Sequence, residues 1–444
     1  MAASLLLLDR NGARPPAAAE GGAAPSGAWI CPHGGGEGFV VSVFLANPGS
    51  TPVTARVTAL TDRSPEDAST VEVPAGTTVR VPVLAAGRGS GTYVEFFGGW
   101  IGAGWVATTG DPAESLAAEP CASEAGTRWF VLDGSTQLHE DAYVVVTNPF
   151  DAPAVLDVVV HSPDRAPVRA SEWTDLVVRP RRSVALHVNR QVEGEVVAAA
   201  EIVVSVGRVA AASLEITSDT RIRSALGMTG STTVGLLPEI GGSGQAELLV
   251  LSVTDKTIRF GATALTGDLP RPAGGLTEQD HPPLSARAYP VEAGSGPTTI
   301  HAFTLDGAPV VAALRVLGPQ DDLGATAGAT AGARAWVVLP AIAGSGAQPG
   351  MVLANDGDAD AVATLRILPR AGAAAAANVT VDVPAHGAAA VPEAFLASAP
   401  GSAVLVRATA PVVALGAASA VPDGSRGTGG AYALSMGVAV PQPR

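Results

Sequence analysis

Leu45-Ala46-Asn47-Pro48, Val146-Thr147-Asn148-Pro149 and Leu353-Ala354-Asn355-Asp356 are three versions of one phrase, an apolar strand that stops at an asparagine. Each follows a strand led by a tryptophan: Trp29, Trp129 or Trp336. Further on, a second strand closes on Val73-Pro74-Ala75-Gly76, Val178-Arg179-Pro180-Arg181 or Val383-Pro384-Ala385-His386. A small-residue apolar strand comes late in each unit, at 209–212, 309–312 and 411–414. A further copy, at 234–319, keeps this rhythm but lacks both the tryptophan and the Asn-Pro pair. A period of roughly 100 residues is too long for a solenoid repeat and suits one β-sandwich. The expectation is an all-β chain of four tandem immunoglobulin-like sandwich modules.

The module boundaries follow from these phrases. Residues 1–27 read as a disordered N-terminal stub, 28–120 as repeat one, 121–231 as repeat two and 232–323 as a degenerate repeat three. Residues 324–444 read as a flexible Gly/Ala/Thr linker at 324–332, then repeat four and a Pro-rich tail. The insertion 266–283, rich in Pro, Gly and acidic residues, reads as a mobile surface loop, and the alanine run 373–377 as a loop too short for a helix.

Composition agrees with many short strands. Hydrophobic residues make up 47% of the 444 and charged residues only 15%, against about a quarter in an average domain. Aromatics reach 4%, while Gly (52) and Pro (35) are abundant, so small β-branched cores joined by tight turns are expected. With 27 Lys+Arg against 41 Asp+Glu the net charge is −14, which opposes a nucleic-acid surface. The local exception is Arg179, Arg181 and Arg182, at a turn.

Cys31 and Cys121 lie at the two ends of the first module. A disulfide between them would close a loop of about 90 residues and contribute about 4 kcal/mol through the unfolded state. The alternative is two separately buried thiols. No CxxC or Cys/His cluster offers a metal or redox role. At the N-terminus, Leu5–Leu8 is too short for a secretory core or a membrane span, and reads as the remnant of an anchor whose beginning is missing.

Chemistry-bearing patterns are sparse. The seven histidines show no metal-ligand spacing, and there is no nucleophile elbow, Walker sequence or dinucleotide fingerprint. Neither a catalytic residue nor a cofactor is expected. Asp356, Asp358 and Asp360 stand at alternate positions and form a weak calcium candidate, although the same slot holds a plain turn in the other units. Phe96, Phe97, Trp100 and Trp105 form the densest aromatic cluster, and are the candidate ligand face. The module-leading tryptophans read as packing residues.

Trp29-Ile30-Cys31-Pro32, the Asn47-Pro48 turn, Pro120-Cys121-Ala122-Ser123 and Trp129-Phe130 together resemble an actinobacterial envelope family of unknown function (DUF5719). The resemblance extends over most of the chain. It implies a secreted or anchored β-rich protein that keeps the same two cysteines, and it carries no catalytic residues. The expected function is therefore a non-enzymatic, extracytoplasmic scaffold or interaction protein of the cell envelope, with an envelope protein as partner. The second reading is an envelope polysaccharide-binding protein that uses the Trp100/Trp105 face.

Overall fold

The computed structural model describes residues 26–63, 68–109, 115–217, 221–239, 245–266, 270–292, 296–317, 323–339, 348–373, 378–420 and 431–441. The expected stub, save its last two residues, and alanines 374–377 lie outside these. Almost all the regular structure is β.

Unit one sets the pattern. Its strands are β1 (Gly27–Cys31), β2 (Phe39–Ala46), β3 (Val53–Leu60), β4 (Ser69–Val73), β5 (Thr78–Val83), β6 (Gly91–Phe97), β7 (Gly102–Thr109) and β8 (Leu116–Pro120). They form two antiparallel sheets, ordered β1-β6-β3-β4 and β5-β2-β7-β8. Along β3 the two-residue period is plain: Val53, Ala55 and Val57 point inward, Thr54 and Arg56 outward. By contrast β7 is buried at every position, because apolar layers cover both faces of its sheet.

The same two strand orders recur in all four units. In the last, the counterparts of β6 and β7 fuse into one 18-residue strand, Ala403–Ala420, which belongs to both sheets. The neighbours β2–β5 and β3–β6 are those of an immunoglobulin sandwich, but its first and seventh strands have exchanged sheets and the fourth lies beside β3 rather than β5. Here β1 joins β6 and β7 joins β2.

Three sequence phrases each do one job. Trp29, Trp129 and Trp336 are buried, and each indole N–H donates to a carbonyl at the head of the seventh strand: Ile101 (2.8 Å), Val209 (2.7 Å) and Val412 (2.6 Å). Asn47, Asn148 and Asn355 are fully buried, and each side-chain amide ties its own turn to the end of the fourth strand, at Val73, Val178 and Val383. The turn after the fourth strand needs a left-handed residue, filled by Gly76 in unit one but by Arg181, Leu284 and His386 elsewhere, at φ 51°, 50° and 49°.

The units do not hang as beads on a string; they close into a ring. Phe130 and Leu132 of unit two share a core with Leu249 and Val311 of unit three. Leu237 and Ile300 of unit three belong to one cluster with Val352 and Leu434 of unit four. The ring shuts where Phe44 and Leu116 of unit one meet Val337 and Leu405 of unit four. At this seam the Thr78 amide donates to Pro369 O (2.8 Å), and its hydroxyl donates to Leu368 O (2.7 Å). The eighth strands, Leu116–Pro120, Ile222–Arg223, Leu323–Ala327 and Ala431–Met436, touch one another at the centre. Eight sheet layers thus stack around an axis, as in a propeller, though no layer has a blade's sequential strand order.

The stretch 324–332, expected to be a flexible linker inside the fourth domain, is a correction. It contains most of unit three's eighth strand, paired with Val310–Leu317, and Ala329 then bridges Leu236. Its glycines serve close packing: a Cβ on Gly328 would lie 2.5 Å from Leu237 Cδ2. The insertion 266–283 is also partly regular, with Arg271–Pro272 and Gln279–His281 pairing onto Ile258–Leu265.

Candidate functional site

The aromatic cluster does not form the ligand face expected of it. Phe96 points into the core, and Trp105 is fully buried on the central strand β7, edge-on to His33 at 5.9 Å. Trp100 is half-buried, edge-on to Trp29 at 6.1 Å, and only Phe97 is exposed. Alternation along β6 sends Phe96 and Phe97 to opposite faces, so adjacency in sequence does not make a shared surface.

The calcium candidate does not converge either. Asp358 pairs with His386 Nε2 at 2.9 Å, while Asp360 accepts the Ala385 amide at 2.9 Å. Among the described residues, no three His, Cys, Asp or Glu side chains are grouped to hold a metal ion. Cys31 and Cys121 do form a disulfide, with Cα atoms 4.4 Å apart, which fastens β1 to the segment after β8.

A site the sequence reading missed lies at the junction of units two and three. Asp133, just past unit two's first strand, accepts Arg223 Nε at 2.7 Å and Arg315 Nε at 3.0 Å. On one side Arg223 Nη2 meets Glu215 Oε1 at 2.8 Å, and Glu215 Oε2 accepts the Ser135 amide at 2.7 Å. On the other, Arg315 Nη1 donates to Glu247 Oε2 at 3.0 Å. The chain Glu215–Arg223–Asp133–Arg315–Glu247 therefore crosses the junction. Nearby, His161 Nδ1 lies 2.9 Å from Leu284 O, and Arg287 donates to Asp164 at 3.0 Å.

Within the chain Asp133, Glu215, Arg223 and Arg315 are buried and Glu247 is not, so the electrostatics are strong. Burial pushes the Glu215 carboxyl up to about 7, against the pull of Arg223. Burial would raise Asp133 as well, but Arg223 and Arg315 outweigh it and hold that carboxyl below its ordinary range. Close to the axis Glu119, on β8, is raised well above the ordinary value by burial, although the Leu226 amide opposes the shift.

The cluster opens on a cleft of about 780 Å³. Arg223 and Arg315 face it, with Gln137, Glu140, Glu247 and Glu292 around them, and among the described residues no aromatic side chain lines it. Asp133 and Glu215 stand behind the guanidinium groups.

The other units provide an internal control, because strand register fixes the matching positions. The cross-strand pair Glu215–Arg223 corresponds to Ala107–Ala117, Val316–Gly324 and Ala418–Ala433. Arg315, opposite Ala325, corresponds to Val106 opposite Ala118 and to Ala417 opposite Leu434. The place of Asp133 is held in unit one by His33, whose imidazole burial pulls down to about 4. The fold thus completes its other junctions without this network. The legible signal was the charge inside otherwise apolar strands, Ser213-Leu214-Glu215-Ile216 and Ala313-Leu314-Arg315-Val316. Partners as far apart as the 182 residues between Asp133 and Arg315 gave no local pattern.

The architecture is that of an all-β ring of sandwich repeats. Residues 97–225 match the model of DUF5719, a family of unknown function. This stretch includes the Pro120-Cys121 and Trp129-Phe130 motifs but not those around Trp29 and Asn47, so the match is narrower than the resemblance over most of the chain. No curated protein matches. Among solved structures the chain is similar to an α-L-rhamnosidase of Streptomyces avermitilis complexed with L-rhamnose, at 10% identity and a TM-score of 0.14. The alignment covers 72% of this chain and 47% of that one, and a likeness so remote carries no argument about fold or function.

Proposed function

We propose that the protein is a non-enzymatic scaffold or interaction protein of the cell envelope, working outside the cytoplasm. The observation that carries this reading is the closed ring, in which four sandwiches share cores and hydrogen bonds around one axis. Such a frame holds loops and outer sheet edges in fixed positions, and those edges, such as β4, offer backbone groups for strand addition by a partner. Two buried guanidinium groups, which do not exchange protons near neutral pH, face a cleft of about 780 Å³ among Glu140, Glu247 and Glu292, with the perturbed Asp133 and Glu215 set behind them, and this lining supports a binding role. The Cys31–Cys121 disulfide is compatible with an oxidising compartment. No helix among the described residues is long and apolar enough to cross a membrane.

The test is alkylation of Cys31 and Cys121 in intact cells, combined with a photocrosslinker at the exposed Glu72 on β4. Thiols protected until reduction, with one discrete crosslinked envelope protein, are expected. Thiols that alkylate without reduction, in a chain that fractionates with the cytosol, would defeat the reading.

A further inference from the structure

The charge network at the junction of units two and three calls for an explanation that folding does not supply. Burying ions is costly, and replacing them with apolar residues of similar volume is often neutral or stabilising. The matching pairs Ala107–Ala117, Val316–Gly324 and Ala418–Ala433 show that this molecule uses such apolar replacements elsewhere. What sets this junction apart is the cleft it faces, and two groups on its walls. Arg315 is more than nine-tenths buried and lines the cleft, and its Nη2 has no hydrogen-bond partner. Glu140 also lines the cleft, and its Oε2 is buried with no partner. An unsatisfied donor on a cation and an unsatisfied acceptor on an anion, both out of water, are each costly when empty.

We propose that this cleft binds a small zwitterionic ligand of the amino-acid or short-peptide class, with its carboxylate on Arg315 and its ammonium group at Glu140. Several features fit that class. Guanidinium groups take carboxylates with directional, charge-assisted bonds. Glu292 and Glu247 add negative potential for an ammonium group. A volume of about 780 Å³ accommodates a di- or tripeptide. Among the described residues the walls carry no aromatic ring on which a sugar could stack. The network behind Arg315 acts as a rigid mount, since Asp133 and Glu247 fix its Nε and Nη1 and leave Nη2 for the ligand.

The test is calorimetric titration of the full chain with L-alanyl-L-alanine, its N-acetyl form and its C-terminal amide. Saturable binding of the free dipeptide, weakened about tenfold or more by blocking either end, is expected. The variant Glu140→Gln, which breaks no ion pair of the buried chain, should remain folded by circular dichroism, weaken the free dipeptide by a similar factor and leave the N-acetyl form unchanged. Arg315→Met should abolish binding, with circular dichroism and the Glu140→Gln result separating loss of binding from loss of fold. Absence of saturation at about 10 mM, equal binding of the blocked forms, or unchanged affinity in Glu140→Gln would each overturn the proposal.

Discussion

The junction between units two and three and the seam between units four and one are built from the same sheet faces, yet they are held by opposite means. At the seam, Phe44 and Leu116 pack on Val337 and Leu405, and Thr78 supplies backbone-directed hydrogen bonds. At the junction, an apolar base of Phe130, Leu132, Leu249 and Val311 is topped by five charged side chains in series. Among the described residues the seam carries no ion pair, although Arg366 donates to Pro48 O at 3.1 Å across it, so the ionic series is not a requirement of ring closure. It belongs to the cleft above it.

The comparison can be broken most severely at its centre. Asp133→Ala leaves Arg223 and Arg315 buried without their shared counter-ion, and should cost about 4 kcal/mol, read by chemical denaturation. Replacing the series together by apolar residues (Asp133→Leu, Glu215→Val, Arg223→Ala, Arg315→Leu) should instead leave stability within about 2 kcal/mol of wild type or above it. A loss as large as that of the single variant would mean that the charges do hold the ring.

At the seam, Leu405→Ala removes buried apolar volume and should cost about 3 kcal/mol. That loss should be the same at pH 5 and pH 7.5, since Leu405 and its seam neighbours Phe44, Leu116 and Val337 are uncharged.

The junction should respond to pH. Glu215 is raised from 4.5 to about 7 chiefly by burial, so between those values the folded chain holds a proton that the unfolded chain has released. Stability therefore falls as pH rises through that window, by about 3 kcal/mol, and is flat above it. Asp133 has the opposite sign: its carboxyl is held low, so the stability it contributes is lost as acid protonates it in the folded state. Melting curves from pH 4 to 8 should show the decline in wild type and a shallower one in Glu215→Gln. An unchanged slope would move the effect to another group, with Glu119 next in line.

The smallest effect sits at the rim of the junction. Leu284 is exposed and holds a left-handed φ of 50°, where unit one uses Gly76. Leu284→Gly should stabilise by roughly 0.5–1 kcal/mol, the relief of the backbone penalty less glycine's greater unfolded-state entropy, provided the carbonyl that faces His161 stays in place.

Much of the architecture was legible in the sequence because its signals are local. The repeated Asn, such as Asn148, and the repeated Trp, such as Trp129, mark the turn and the strand head that they build, and their hydrogen bonds return within one unit. The aromatic face misled because Phe96 and Trp105 were read by proximity along the chain, whereas strand alternation and position in the sheet decide which ring meets solvent. The linker reading of 324–332 misled because small residues there signal close packing on Leu237 as well as flexibility.

The four-fold β repeat, the two cysteines and the tight turns are written along the chain, all of them properties of neighbouring residues and of strand period. That the repeats close on themselves, and that Asp133, Glu215, Arg223, Glu247 and Arg315 meet, emerges only in three dimensions. Ring closure is a property of matching sheet faces. A buried ion network depends on partners up to 182 residues apart, whose attraction becomes strong only once folding has removed the water between them.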